Sequence, residues 1–346
     1  MNPRLAHHAE IVGLSIVDPE TFEIERQTLD DGHRVCFRSG EAVNDERLRK
    51  RIDELVIPPA WTDVRICIEG SGHIQAIGRD EKGRLQYRYH DRWVDVRNAV
   101  KAERLMRFGK ALPKLRKAVS KDMRRRQRDR KFAAATATRL VDLAAMRAGH
   151  EKYAADGGRG VSSLTRKNLR IRETRVAVLK FTGKSNRKHE IEIRDRKLVE
   201  NLAAVRKVEG SRLFKFAGDQ RKSRKMTAGV LNTYMRDASG KRISAKDFRT
   251  FHGSVEALRF LCLDEKALTA ETEAKKKKAV AAAMRSVSER LRNTPAVARS
   301  SYVHPGIITA FEAGELSPDL MKGRTRAGLN QEETGLMRFL EGATPE

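Results

Sequence analysis

Residues 62–69 alternate polar and apolar positions as Thr-Asp-Val-Arg-Ile-Cys-Ile-Glu, the period-two pattern of a half-buried strand. Gly70 and Gly72 predict a turn behind it, and residues 73–77 a second extended stretch. Asp80-Glu81-Lys82-Gly83 reads as a hairpin loop into a strand over residues 84–89, with Tyr87 and Tyr89 on one face and Gln86 and Arg88 on the other. Pro58-Pro59 marks a fixed turn, because neither residue can donate to a ladder. From about residue 98 the period lengthens. Phe132, Thr136, Leu140, Leu143 and Ala144 follow helical spacing toward Met146 and Arg147, with Gly149 as the expected cap. Residues 174–181 and 187–193 then alternate as two strands across a Gly183-containing turn. Helical spacing returns at Phe248, Phe251, Val255, Leu258 and Leu261, and again at Val280, Met284, Val287 and Leu291. Thr294-Pro295 predicts an N-cap and first position for a short helix carrying Tyr302, which Pro305 ends or bends. The expected fold class is α+β: a small β-rich domain over residues 1–97, then a mostly helical domain over residues 98–346 with a short β-hairpin element.

Charge separates the same two regions. The 346 residues carry a formal net charge of +26. Residues 1–97 hold 15 Lys and Arg against 18 Asp and Glu, so the whole excess lies in residues 98–346. Its densest block, residues 98–131, has 14 basic and three acidic residues. Such a run is either a solvated helix or arm, or a surface for a phosphate backbone, where each neutralised phosphate releases counterions. It lacks the bulky apolar face of a membrane-surface helix. Three widely spaced cysteines, Cys36, Cys67 and Cys262, argue against a disulfide framework or a paired-cysteine metal site. With no run of about 18 apolar residues and acids near the N-terminus, a soluble intracellular protein is expected.

The chemistry on offer is narrow. There is no GxxxxGK[ST] phosphate loop, no HExxH and no EF-hand loop, so neither nucleotide-driven nor metal-driven chemistry has a sequence signal, and no cofactor or metal is expected. What remains is many cationic donors and five tyrosines: Tyr87, Tyr89, Tyr153, Tyr234 and Tyr302. Tyr302 stands nine residues after Asn293 among small and polar neighbours. By spacing alone the better reading is a packed aromatic on a terminal helix.

Over residues 55–310 the chain resembles the type IB DNA topoisomerases of the small poxviral and bacterial kind. Residues 57–64 and 83–89 resemble that family's β-domain segments. Met146-Arg147-Ala-Gly-His-Glu-Lys-Tyr153, residues 164–168, Lys180-Phe-Thr-Gly-Lys184, Lys246-Asp-Phe-Arg249-Thr250 and Asn293 through Tyr302 follow in the family's order. The resemblance implies a nucleophilic Tyr302 with Arg147, Lys184, Arg249 and Asn293, and an assisting Lys246. Asn293 replaces the more frequent histidine, and an amide can donate to a phosphate oxygen without exchanging a proton. The resemblance also implies that the two domains clamp duplex DNA, with Arg84, Gln86, Tyr87, His150 and Tyr153 as contacts. His150 stands where some relatives carry a base-contacting lysine. A monomer acting on double-stranded DNA without ATP, metal or membrane, in a bacterial cytoplasm at the nucleoid, is the matching expectation. A tyrosine site-specific recombinase shares the Arg, Lys, Arg, Tyr order, but usually carries HxxR at the second arginine and a helical N-terminal domain. A non-enzymatic basic DNA-binding protein would need the charge alone.

Overall fold

The computed structural model describes residues 3–29, 32–151, 158–173, 175–183, 187–217 and 223–342. It divides into two compact units, Met1–Lys101 and Ala102–Glu346.

The first unit is an antiparallel sheet with helical additions. Helix α1 (Pro3–Ile11) precedes β1 (Ile24–Leu29) and β2 (Gly32–Phe37), helix α2 (Glu46–Glu54) follows, and β3 (Thr62–Ile66), β4 (Ile74–Arg79) and β5 (Leu85–Tyr89) complete a sheet of order β2-β1-β3-β4-β5. The predicted β4–β5 hairpin is present. Asp80 closes its loop by accepting the Lys82 and Arg84 N–H groups at 3.0 Å, and Gly83 takes φ +70°. The strand expected over 62–69 ends at Ile66, ahead of the turn that Gly72 N–H closes on the Glu69 carbonyl, and Asp63 at φ +50° accompanies a register shift between Thr62 and Arg65. The two helices carry no strong sequence signal. In α2, Glu-Arg-Leu-Arg-Lys-Arg-Ile-Asp-Glu, Ile52 alone is buried, and the Asp45 side chain caps the Arg47 and Leu48 N–H groups. Ile24, Val43, Val64, Ile66 and Ala76 form the core beneath α2, whereas Ala9 of α1 packs with Leu14, Trp93 and Val96.

In the second unit, α3 (Trp93–Asp122), within whose range the first unit ends, leads to α4 (Arg130–Ala144) and to a three-stranded sheet, β6 (Leu169–Arg172), β7 (Val176–Thr182) and β8 (Lys188–Ile193). After α5 (Arg196–Lys207) come the short strands β9 (Lys215–Ala217) and β10 (Ser223–Lys225). The helices α6 (Ala228–Ser239), α7 (Ala245–Leu263), α8 (Glu265–Leu268), α9 (Glu273–Leu291), α10 (Pro295–Ser301), α11 (Pro305–Glu312) and α12 (Gln331–Gly342) follow. The fold is α+β. Among the described residues no helix is long and apolar enough to cross a membrane.

Helix α7 is the axis of this unit, buried without interruption from Phe251 to Leu258. Phe108 of α3 packs edge-on against Phe248 and tilted against Phe251, with ring centroids 4.9 and 5.2 Å away. Beside this apolar core runs an ionic one. Arg116 of α3 donates to both carboxylate oxygens of Asp142 on α4 at 2.8 and 2.9 Å, and to both of Glu333 on α12 at 2.7 Å. His252 of α7 lies 3.2 Å from Asp142. Asp142, His252 and Glu333 converge closely enough to suggest a cation site. The guanidinium fills that place, and it satisfies buried carboxylates that would otherwise be very costly.

Two further local expectations are corrected. Helix α4 stops at Ala144, capped by Ala145 at φ +47°, so Gly149 is not its cap. Leu143, spaced as a core residue, is exposed, because α4 turns that side to solvent at its last turn. Residues 145–150 are an irregular segment, and it carries Arg147.

Candidate active site

The last carbonyls of a helix have no partner within it and carry the negative end of its dipole, so cations gather there. At the end of α4 two arginines do so. Arg292 donates to the Ala144 carbonyl at 2.8 Å, and Arg249 to that of Ala145 at 2.5 Å. The other terminal nitrogen of Arg249 donates to the Leu291 carbonyl, at the end of α9, at 2.9 Å. Ala145 and Arg292 both hold left-handed backbone, which costs an L-residue roughly 1–2 kcal/mol. These guanidinium bonds help to hold both turns. A guanidinium has five N–H donors. Two of those on Arg249 serve the scaffold, and its Nε, buried, has no partner among the described residues.

Arg249 sits in the first turns of α7, one turn beyond a capping box in which Ser244 and Asp247 satisfy each other. Asp247 is held in turn by Arg104 of α3. Lys246, between these residues, is exposed at the rim.

Arg147 is fixed by a pair of glycines. Its carbonyl accepts the Val161 N–H at 2.9 Å, and that of Ala148 accepts the Ser162 N–H at 2.8 Å. This ladder brings Gly149 and Gly160 into backbone contact. A Cβ on Gly160 would stand 2.6 Å from the Arg147 carbonyl oxygen and from Gly149 Cα. Gly149, at φ +86°, thus serves a crossing of two chain segments.

Tyr302 ends α10, whose N-cap Thr294 and first residue Pro295 are as the sequence predicts. Its ring lies over Arg249, with the guanidinium carbon 4.6 Å from the ring centroid. Arg147, Lys246, Arg249 and Tyr302, with His150, line one cavity of about 290 Å³. Burial pushes the Tyr302 phenol up. The charge of Arg249 and its hydrogen bond to the phenol, with Arg147 and Lys246, outweigh this and hold the phenol below its ordinary value. Arg249 itself is brought down to about 10, first by burial and then by the charge of Arg147.

Asn293 follows Arg292 in the turn between α9 and α10. It is buried, and among the described residues neither atom of its amide has a hydrogen-bond partner. A buried amide in that state costs about 1–3 kcal/mol, which a bound phosphate oxygen would recover in part. Asn293 is not among the residues lining the 290 Å³ cavity.

The sequence reading missed Arg159, which lines both this cavity and a smaller neighbour with Arg292 and His189. Burial lowers the His189 pKa, and the charges of Arg292, Arg147, Arg187 and Arg249 lower it further. The glycines flanking Arg159 were the available signal for a close approach. Lys184 and Tyr153 lie outside the described residues. The remaining expected contacts are on the first unit's hairpin: Arg84 and Gln86 both bind the half-buried Asp80 carboxylate, at 2.7 and 2.8 Å, and Tyr87 stacks on Tyr89 with centroids 5.8 Å apart. The Arg84 side chain first, then the Arg84 and Lys82 backbone N–H groups, hold the Asp80 carboxyl down at about 2.

An α+β chain with a tyrosine set among arginines is a DNA topoisomerase by two comparisons. Residues 91–313 match the family model of the eukaryotic DNA topoisomerase I catalytic core, and residues 34–80 match that of the bacterial DNA topoisomerase IB N-terminal domain. The chain is also 33% identical, over 279 residues, to DNA topoisomerase 1B of Acanthamoeba polyphaga mimivirus, which covers 77% of this chain and 80% of the relative. The chain belongs to the type IB DNA topoisomerase family. It is an isomerase that changes DNA topology, and the recombinase and non-enzymatic readings give way to that activity.

Proposed function

We propose that Tyr302 is the nucleophile of DNA strand cleavage; the observation that carries this is the Arg249 guanidinium against its ring in a cavity shared with Arg147 and Lys246. The phenolic oxygen attacks a backbone phosphorus, forming a P–O bond to tyrosine as the P–O5′ bond breaks. The phenol proton passes to solvent and Lys184 supplies one to the departing O5′, so protons balance. The product is a 3′-phosphotyrosyl link and a free 5′-hydroxyl. Arg147 and Arg249 hold the nonbridging oxygens as negative charge grows on them, and Asn293 donates an amide N–H. Each such donor is worth about 3 kcal/mol of barrier. Lys246 stabilises the ionising phenol.

The phosphotyrosyl link conserves the energy of the bond it replaces, so the 5′-hydroxyl reseals the strand after the cut end has swivelled and supercoils have relaxed. Every group the transfer needs is a side chain, so the enzyme requires neither ATP nor metal. It acts as a monomer on duplex DNA at the bacterial nucleoid, with Arg84, Gln86, Tyr87, His150 and Tyr153 touching the duplex.

Supercoiled plasmid incubated with the protein in EDTA and without ATP tests this. Wild type relaxes it and Tyr302→Phe does not. A wild type that leaves the plasmid supercoiled, or a Tyr302→Phe variant that relaxes it equally, contradicts the reading.

A further inference from the structure

Arg292 occupies a position that suits glycine. It follows Leu291, the last residue of α9, in left-handed backbone at φ +53°, and its N–H closes the helix on the Glu289 carbonyl at 3.2 Å. Glycine is the usual residue at such a helix end because it carries no strain there, whereas an arginine does. The arginine side chain offsets that strain by leaving its own helix. Its Nη1 donates to the Ala144 carbonyl at the end of α4, 2.8 Å away. The bond is charge-assisted and directional.

The next carbonyl of the same segment, Ala145, accepts Arg249 at 2.5 Å. Arg249 and Arg292 therefore hang from consecutive carbonyls, and Asn293 is the residue directly after Arg292. Arg249 also reaches the Leu291 carbonyl at 2.9 Å, so Arg292 is the link to α4 that lies nearest Asn293. The main chain of Asn293 is held at both of its polar groups. Its N–H donates to the Ser288 carbonyl at 3.0 Å, and its carbonyl accepts Nη1 of Arg187, the residue before β8, at 2.9 Å. Only its side-chain amide, buried, is without a partner among the described residues.

We propose that Arg292 is a positioning residue for Asn293: by tying the α9–α10 turn to the end of α4, it aims the Asn293 amide at the scissile phosphate. This rests on the reading of Asn293 as a donor to that phosphate. Arg292 touches no reacting atom.

The test sets Arg292→Gly beside Arg292→Ala. Both lose the bond to Ala144, but glycine alone relieves the backbone. Arg292→Gly should melt close to wild type and about 2–4 °C above Arg292→Ala. Single-turnover cleavage of a duplex at saturating protein is then read at a temperature where every variant is folded. Arg292→Gly should be slower than wild type by about 10²-fold, as a group misplaced by near 1 Å is. A stable but slow variant separates positioning from a role in the scaffold alone. Noncovalent affinity, measured in the Tyr302→Phe background, should be unchanged by adding Arg292→Gly. Because the loss passes through Asn293, adding Arg292→Gly to Asn293→Ala should cost no further rate.

Three results overturn the proposal: Arg292→Gly cleaving as fast as wild type, a defect that appears as lost DNA affinity with normal cleavage, or a defect that multiplies with that of Asn293→Ala. Asn293→Ala by itself checks the reading beneath. If it cleaves at the wild-type rate, the donor assignment falls and the proposal falls with it. A slow Asn293→Ala beside a fast Arg292→Gly sinks the proposal alone.

Discussion

Gly253 of α7 and Tyr302 meet backbone to backbone: a Cβ on Gly253 would stand 2.9 Å from the Tyr302 carbonyl oxygen and 3.2 Å from its Cβ. The next residue, Ser254, donates to that same carbonyl at 3.3 Å and accepts the His304 N–H at 3.0 Å. The helix that presents Arg249 thus also sets the height of Tyr302, and the two groups share one rigid support. Gly253→Ala should push Tyr302 off Arg249. Overpacking of this kind costs about 1–3 kcal/mol of stability, and we expect cleavage to fall by about 10²-fold, as a misplacement near 1 Å does. Thermal unfolding and single-turnover cleavage, measured together, separate the two effects.

The glycine crossing behind Arg147 makes a second prediction. Gly160→Ala leaves no room for the Arg147 carbonyl, and Gly149→Ala adds left-handed strain to the same clash. Both variants should lose cleavage while keeping most of their DNA affinity, because Arg147 is one cation among 72 Lys and Arg. Filter binding alongside covalent-complex yield checks this.

Tyr302 ionises more readily than a free phenol because cations outweigh its burial. Cleavage by a phenolate rises with pH and levels off above the phenol pKa, so the rising limb of the pH–rate profile should have its midpoint below the ordinary 10. Lys246 is one of the cations responsible, so Lys246→Met should move that midpoint upward. The variant would be slower at neutral pH and approach wild type at high pH. Because Lys246 is exposed, added salt should shrink the difference.

Burial pushes Asp142 up, but the His252 hydrogen bond and the Arg116 guanidinium prevail and hold it well below the carboxylate range. A carboxyl depressed on folding adds stability above its unfolded pKa, near 4, and that stability is lost as pH falls toward the folded value. Unfolding free energy should therefore drop on acidification below about pH 5. Asp142→Asn should flatten that dependence and cost about 3–5 kcal/mol at neutral pH, since Arg116 and His252 lose a buried partner. Urea titrations across pH check both.

For Asn293 the expectation is asymmetric. Asn293→Ala removes a donor and should slow cleavage by about 10²–10³-fold. Asn293→Asp should be worse, since a carboxylate faces the same phosphate. Asn293→His, which keeps a ring N–H donor at that position, should cleave well.

How much of this was legible in the sequence follows from what each residue does locally. The β4–β5 hairpin and the Thr294–Pro295 cap are local chemistry and could be read directly. Helix α2 could not, because nine residues with a single buried side chain present no apolar face. Gly149 was misread because a left-handed glycine marks a helix end and a tight chain crossing alike, and only Gly160, eleven positions on, decides between them. Arg159, Arg187 and Arg292 look like any other surface cation in this chain. Arg292 and Arg187 act on carbonyls at or just past the ends of helices far off in the chain, and Arg159 on the walls of two cavities that only the fold assembles. Tyr302 and Arg249 stood out only together, through the order of the family's segments.

The central claim is that Tyr302 carries the cut strand. The most direct measurement denatures a reaction with end-labelled duplex, digests the covalent complex and maps the nucleotide-bearing peptide by mass spectrometry. The account predicts one adduct, a 3′-phosphate on Tyr302, absent from Tyr302→Phe. An adduct on another residue, or plasmid relaxation by Tyr302→Phe, would contradict it.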